Sequence, residues 1–140
     1  MDLTIIGLKI FVVSFLLNFL WEVQHSQLYT TCHRMKLIPL VRLLTWQTTK
    51  DAFWIVSFFL VVVLLFGLQG FMTSAVQMLS FVFLLLMFAW TVEKHALRTG
   101  RWNYSSAMPT VLGVGLSPLL ELAVTGTLTL VLVFLFIPIT

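Results

Sequence analysis

The sequence predicts an all-α membrane protein of four transmembrane helices, with helices 2 and 3 a tight hairpin and both termini extracytoplasmic. Three observations carry this. Of 140 residues, 60% are hydrophobic and 9% are charged, whereas a soluble domain carries about 25% charged residues to cover its surface. Four segments approach or reach the roughly 20 mostly apolar residues that a spanning helix needs. The basic residues gather in two of the three connections. The length suits one domain over residues 1–140.

The first span runs from about Leu3 to Trp21. Its "MDLTIIG" start has no basic n-region and no small-residue cleavage pattern, so the helix reads as retained. Lys9 lies about 10 Å along it, at about 1.5 Å per residue, close enough to snorkel toward the outer headgroups. The second span, about Ala52 to Leu68, and the third, about Phe71 to Val92, are separated only by Gln69 and Gly70. That spacing predicts the hairpin. The fourth span runs from about Pro118 to Pro138.

Arg34, Lys36, Arg42 and Lys50 fall in the first connection, and Lys94, Arg98 and Arg101 in the third; Lys9 is the remaining one of the eight basic residues. The positive-inside rule therefore places connections 1 and 3 in the cytoplasm. The expected location is the inner (cytoplasmic) membrane, multi-pass, with membrane lipid as the immediate neighbour. The placement of the net +3 charge follows topology, so no nucleic-acid partner is expected. A single cysteine, Cys32, excludes an intrachain disulfide and a CxxC motif.

Polar groups within spans are costly and are functional candidates. The first helix ends "NFLWEVQHSQLY". If it continues that far, Asn18, Glu22, His25 and Tyr29 share an arc of about 60°. An interfacial helix end with Trp21 and Tyr29 in the aromatic belt would explain part of this stripe. Asn18 is too deep for that account and needs a partner. Asp51 opens helix 2, where capping would suffice to explain it. Glu93 ends the apolar run of helix 3, with His95 and Arg98 beyond it, and a surface ion pair is the plain alternative. His25, His33 and His95 show no spacing that brings them together, so neither a metal nor a cofactor is expected.

The segment from Arg98 to Gly126 is the most informative. Gly113, Gly115 and Pro118 predict an irregular stretch that dips into the bilayer. Ser117 then reads as an N-cap and Pro118 as the first helical residue. Glu121 would follow at the fourth helical position, outside a capping box. Capping does not explain it. Glu22, Asp51, Glu93 and Glu121 would thus lie at similar depth. Carboxylates crowded at low dielectric cannot all stay charged, and one can give a proton where its neighbour removes another. The faces of Trp21, Trp54, Trp90, Trp102 and Tyr104 could stabilise a carbocation, or could simply anchor the helices at the interface.

These residues support a resemblance. "GRWNY…LGVGLSPLLE" is similar to the signature of the integral-membrane lycopene cyclases, the two-subunit bacterial and archaeal enzymes and the fungal bifunctional proteins. In that family a G-x-W-x-F/Y element and a glycine-containing stretch precede a P-L-E-E motif that opens a helix. Gly100, Trp102, Tyr104, Gly113, Pro118 and Glu121 take those places; Leu120 stands where the motif has its first Glu. Glu22, Tyr29, Arg34 and Asp51 follow the family's order in the earlier half, and residues about 15–54 and 98–130 are covered. N-x-x-W-E with G-R-W-x-Y-x-x-x-M-P also resembles small bacterial membrane proteins.

The resemblance implies a carotenoid or isoprenoid cyclase or isomerase. Glu121 and Glu22 would be acid and base, tuned by Asp51 or Glu93. Asn18, His25, Trp54, Trp102 and Tyr104 would contact a long isoprenoid entering from lipid. A homo-oligomer or a partner membrane subunit is implied, because activity in that family takes two such modules. Two other readings stand beside it: a non-enzymatic subunit or a lipid- or pigment-binding accessory protein whose polar residues join helices, and a transporter built from dimerised bundles.

Overall fold

A computed structural model describes residues 2–136. Four long helices, α1 (Leu3–His25), α3 (Leu37–Phe66), α4 (Ala75–Arg98) and α5 (Leu116–Leu135), are each long and apolar enough to cross a membrane. A 3₁₀ turn (Ser26–Leu28) and one turn of helix, α2 (Thr30–His33), follow α1, and a two-stranded hairpin, β1 (Thr110–Val111) and β2 (Val114–Gly115), precedes α5. The part of the expected fourth span beyond Phe136 lies outside the described residues.

The long helices pack as a ring in which α1 touches α3 and α5, and α4 touches α3 and α5. Their outer faces are apolar and open: Leu8, Leu64, Leu65 and Leu79 are all exposed. Such a surface suits lipid and not water. Lipid gives little apolar driving force between helices, so close packing and polar contacts must hold the bundle. Gly126 provides one such contact, since a Cβ there would meet Leu85 Cδ1 at 2.8 Å. At the end of the bundle near the α3–α4 connection, the rings of Phe59, Phe71, Phe81 and Phe134 pack together, with Phe71 1% exposed.

Several boundaries differ from expectation, and those around α3 and α5 have local reasons. The second long helix begins at Leu37, well before Ala52. Pro39 sits in its first turn, where a missing N–H is harmless, and the helix runs on through the polar "TWQTTK". Asp51 is therefore in mid-helix and caps nothing. The hairpin turn spans Gly67 to Ser74, because Gly67 and Gly70 take positive φ (83° and 78°) and the Ser74 side chain caps α4 by accepting from Gln77 N–H. Phe71 is thus a plug in the turn and not the start of a helix. Gln77 Nε2 donates to the carbonyls of Phe66 and Gly67, closing the end of α3.

The glycine-rich stretch is a compact β-hairpin. Leu112 (φ 52°) and Gly113 (φ 76°) occupy its two-residue turn, the left-handed pair that matches strand twist. The cap of α5 falls on Gly115, so Ser117 and Pro118 lie inside the first turn and Glu121 in the second. Glu121 is farther from the helix end than expected, and still unexplained by capping.

Candidate active site

Asn18, Glu22 and His25 descend one face of α1, the i, i+4, i+7 spacing that aligns side chains. Asn18 is fully buried. It accepts from Thr125 Oγ1 at 2.9 Å and donates to the Ser14 carbonyl at 2.7 Å. Asn18 thus has the partner its depth demands. The helix stops at His25 and Tyr29 leaves it, pairing by one antiparallel bridge with Tyr104. Thr30 N–H donates to Asn103 O and Ser105 N–H to Leu28 O, so the segments after α1 and α4 are stitched together.

This stitching builds a cradle for Glu93, which is 5% exposed. Trp102 Nε1 donates to Oε2 at 3.3 Å, Tyr104 Oη donates to the same oxygen, and Tyr29 Oη donates to Oε1 at 3.5 Å. Tyr104 Oη also accepts from Gly115 N–H at 2.8 Å, which ties the cradle to the first residue before α5. His95 and Arg98 are exposed, and no ion pair joins them to Glu93 among the described residues. Burial is the main cause that pushes both phenols well above the ordinary tyrosine range, with the adjacent Glu93 carboxylate adding to it.

Glu121, on α5, faces α1. Its Oε2 lies 3.7 Å from His25 Nδ1, and Glu22 Oε2 lies 3.9 Å from His25 Nε2. Glu22, His25 and Glu121 each offer one metal-ligating atom, all within 4.8 Å of one another. His33 and His95 stay outside this group. Three histidines do not converge; one histidine and two carboxylates do.

A cavity of about 110 Å³ opens on this cluster. Glu22, Asp51, Glu93 and Glu121 line it, one from each long helix, together with Trp54, Phe88, Trp102, Pro118 and Leu122. The sequence placed the four carboxylates at one depth, and the structure puts them around one space. Trp54 packs against Phe88 with centroids 4.5 Å apart and the rings tilted by 43°, while Trp102 carries the Arg101 guanidinium 5.5 Å from its ring centre. One face of Trp102 is therefore already engaged with a cation. Asn18, His25 and Tyr104 are not on the cavity wall: Tyr104 bonds to Glu93, His25 lies beside Glu22 and Glu121, and Asn18 bonds to Thr125, one turn after Glu121. Trp21 and Trp90 are also off the wall.

Sequence reasoning missed Gln47, Lys50 and Arg101, which line the cavity as well. Gln47 precedes Asp51 by about one turn of α3 and Lys50 by one residue, relations hidden when that helix is started at Ala52. Thr125 was missed too, although it lies one turn after Glu121 on the same face. Comparison with known proteins gives no match: no family model, no curated protein and no solved structure corresponds to this chain.

Proposed function

We propose that the chain is a membrane-embedded isoprenoid or carotenoid cyclase or isomerase of the lycopene-cyclase type, working by carboxylate acid–base chemistry. The observation that carries the reading is the cavity lined by Glu22, Asp51, Glu93 and Glu121 beside the aromatic wall of Trp54 and Phe88. A carboxylic acid on this wall protonates an alkene carbon of the substrate. The resulting cation is stabilised by the ring faces, and either closes a ring or shifts a double bond. A neighbouring carboxylate then removes a proton, so the product is an isomer of the substrate and the protons balance.

The cavity is smaller than the roughly 300–1,000 Å³ typical of small-molecule sites. It suits the end of a chain whose remaining length lies in lipid along the exposed side of Trp54. Connections 1 and 3 are cytoplasmic on this reading, both termini are outside, and a second copy or a partner subunit completes the assembly. The contact of Asn18 with Thr125 favours a second reading, in which buried polar groups only join helices. Expression in a lycopene-producing host, followed by extraction of the pigments, separates the two. Cyclised or isomerised pigment that disappears in Glu93→Gln and Asp51→Asn is the expected result; unchanged lycopene removes the cyclase reading for that substrate.

A further inference from the structure

We propose that Glu22, His25 and Glu121 bind one divalent first-row transition-metal ion, such as zinc, just behind the cavity wall, which Glu22 and Glu121 line. The ligand set is one imidazole nitrogen and two carboxylate oxygens within 4.8 Å of one another. Three protein ligands with a remaining open position are the composition of reactive zinc sites.

The orientation of His25 supports this. Its Nδ1 lies 3.3 Å from the Trp21 carbonyl and 3.7 Å from Glu121 Oε2, so Glu121 must turn toward the Nε2 side to share an ion with it. A carbonyl only accepts, so the ring proton is on Nδ1 and the Nε2 lone pair is directed toward Glu22 Oε2 at 3.9 Å. A metal-bound histidine is held in this way, its other nitrogen donating to a backbone carbonyl.

The distances point the same way. The 3.9 Å between Glu22 Oε2 and His25 Nε2 lies beyond the roughly 3.5 Å at which a hydrogen bond is lost. Two ligands each about 2.0–2.1 Å from a shared zinc ion lie about 3.4 Å apart in a tetrahedron. The widest pair must close by at most about 1.4 Å to reach that spacing, a small rotation for glutamate side chains.

An independent observation comes from Glu121. It is 5% exposed, it lines the cavity, and its Oε1 is buried without any hydrogen-bond partner. A buried, unsatisfied carboxylate oxygen is costly and calls for a partner. A divalent ion supplies one and offsets both carboxylates at once. The site takes Glu22 and Glu121 out of the acid–base role that the resemblance implies for them and leaves Glu93 and Asp51 as the proton-carrying groups; it rests on the proposed function only for what enters the cavity, not for the ion itself.

The test uses the full chain purified in detergent, stripped of metal and titrated with Co²⁺, whose visible absorption reports nitrogen and oxygen ligation. One equivalent of Co²⁺ per chain, displaced by Zn²⁺, is expected. In His25→Gln and Glu121→Gln the affinity falls at least about 100-fold, beyond the roughly 10–100-fold typical of losing an outer-sphere partner. Glu93→Gln keeps Co²⁺ binding. A wild-type chain that elutes as a folded species and binds no Co²⁺ overturns the proposal, as does equal binding by wild type and both ligand variants. Pigment conversion is read separately. Co²⁺ binding with unchanged lycopene leaves the metal site standing without the cyclase reading, and conversion without Co²⁺ binding does the reverse.

Discussion

Tyr104→Phe removes one oxygen atom and tests whether the Glu93 cradle holds the loop and α5 together. That hydroxyl donates to Glu93 Oε2 and accepts from Gly115 N–H at 2.8 Å. A hydrogen bond to a charged group is worth about 1.5–3 kcal/mol, and a buried amide left without its acceptor costs about 1–3 kcal/mol. Gly115 is buried, so the second term applies. Tyr104 is half-exposed, and Glu93 keeps Trp102 at 3.3 Å and Tyr29 at 3.5 Å, which places the sum toward its lower end. The expected loss is about 2–3 kcal/mol, or roughly 30–150-fold in the unfolding equilibrium. Unfolding in mixed micelles, titrated with a denaturing detergent and followed by tryptophan fluorescence, measures it. A double-mutant cycle with Glu93→Gln isolates the pair, and coupling of about 1 kcal/mol or more is expected. A loss under about 0.5 kcal/mol with no coupling would refute the cradle.

Other outcomes follow from the same geometry. Thr125→Val leaves Asn18 Oδ1 buried without its donor, costing about 1–2 kcal/mol in the same unfolding assay, and Asn18→Leu in that background restores most of it. Gly126→Leu drives a side chain into Leu85 and Phe81 and costs about 1–3 kcal/mol, whereas Val124→Leu, on an exposed position of the same helix, is neutral. Both tyrosines have phenols raised by burial and by Glu93. The folded state therefore holds protons that the unfolded chain releases near pH 10. That stabilisation is fully present below about pH 10 and falls as pH rises beyond it. Phenolate absorbance should appear together with loss of structure, and ionisation of Tyr29 in a still-folded protein would contradict the burial of its ring.

Much of the fold was legible because apolar runs long enough to span lipid leave few alternatives. Helix boundaries were not. The polar "TWQTTK" carries no span signal, yet backbone hydrogen bonding continues the helix through it, and Asp51 moved from a cap to the middle of α3. The pairing of Glu22 with His25 could be read from i, i+3 spacing. Their meeting with Glu121 could not, because it depends on α1 and α5 being neighbours in the ring. The Tyr29–Tyr104 bridge joins residues far apart in sequence and has no local signal. The turn at Leu112–Gly113 did have one, a Leu-Gly pair between Val111 and Val114, but the surrounding glycines and prolines obscured it.

The central claim is that the carboxylates of this cavity add a proton to an apolar substrate and remove another. The most direct measurement is turnover in D₂O, with the full chain in liposomes carrying lycopene and the product analysed by mass spectrometry. The account predicts a product isomeric with lycopene that carries deuterium at the protonated carbon, and none formed by Glu93→Gln. A product free of deuterium, or lycopene recovered unchanged from a folded and reconstituted chain, would contradict it.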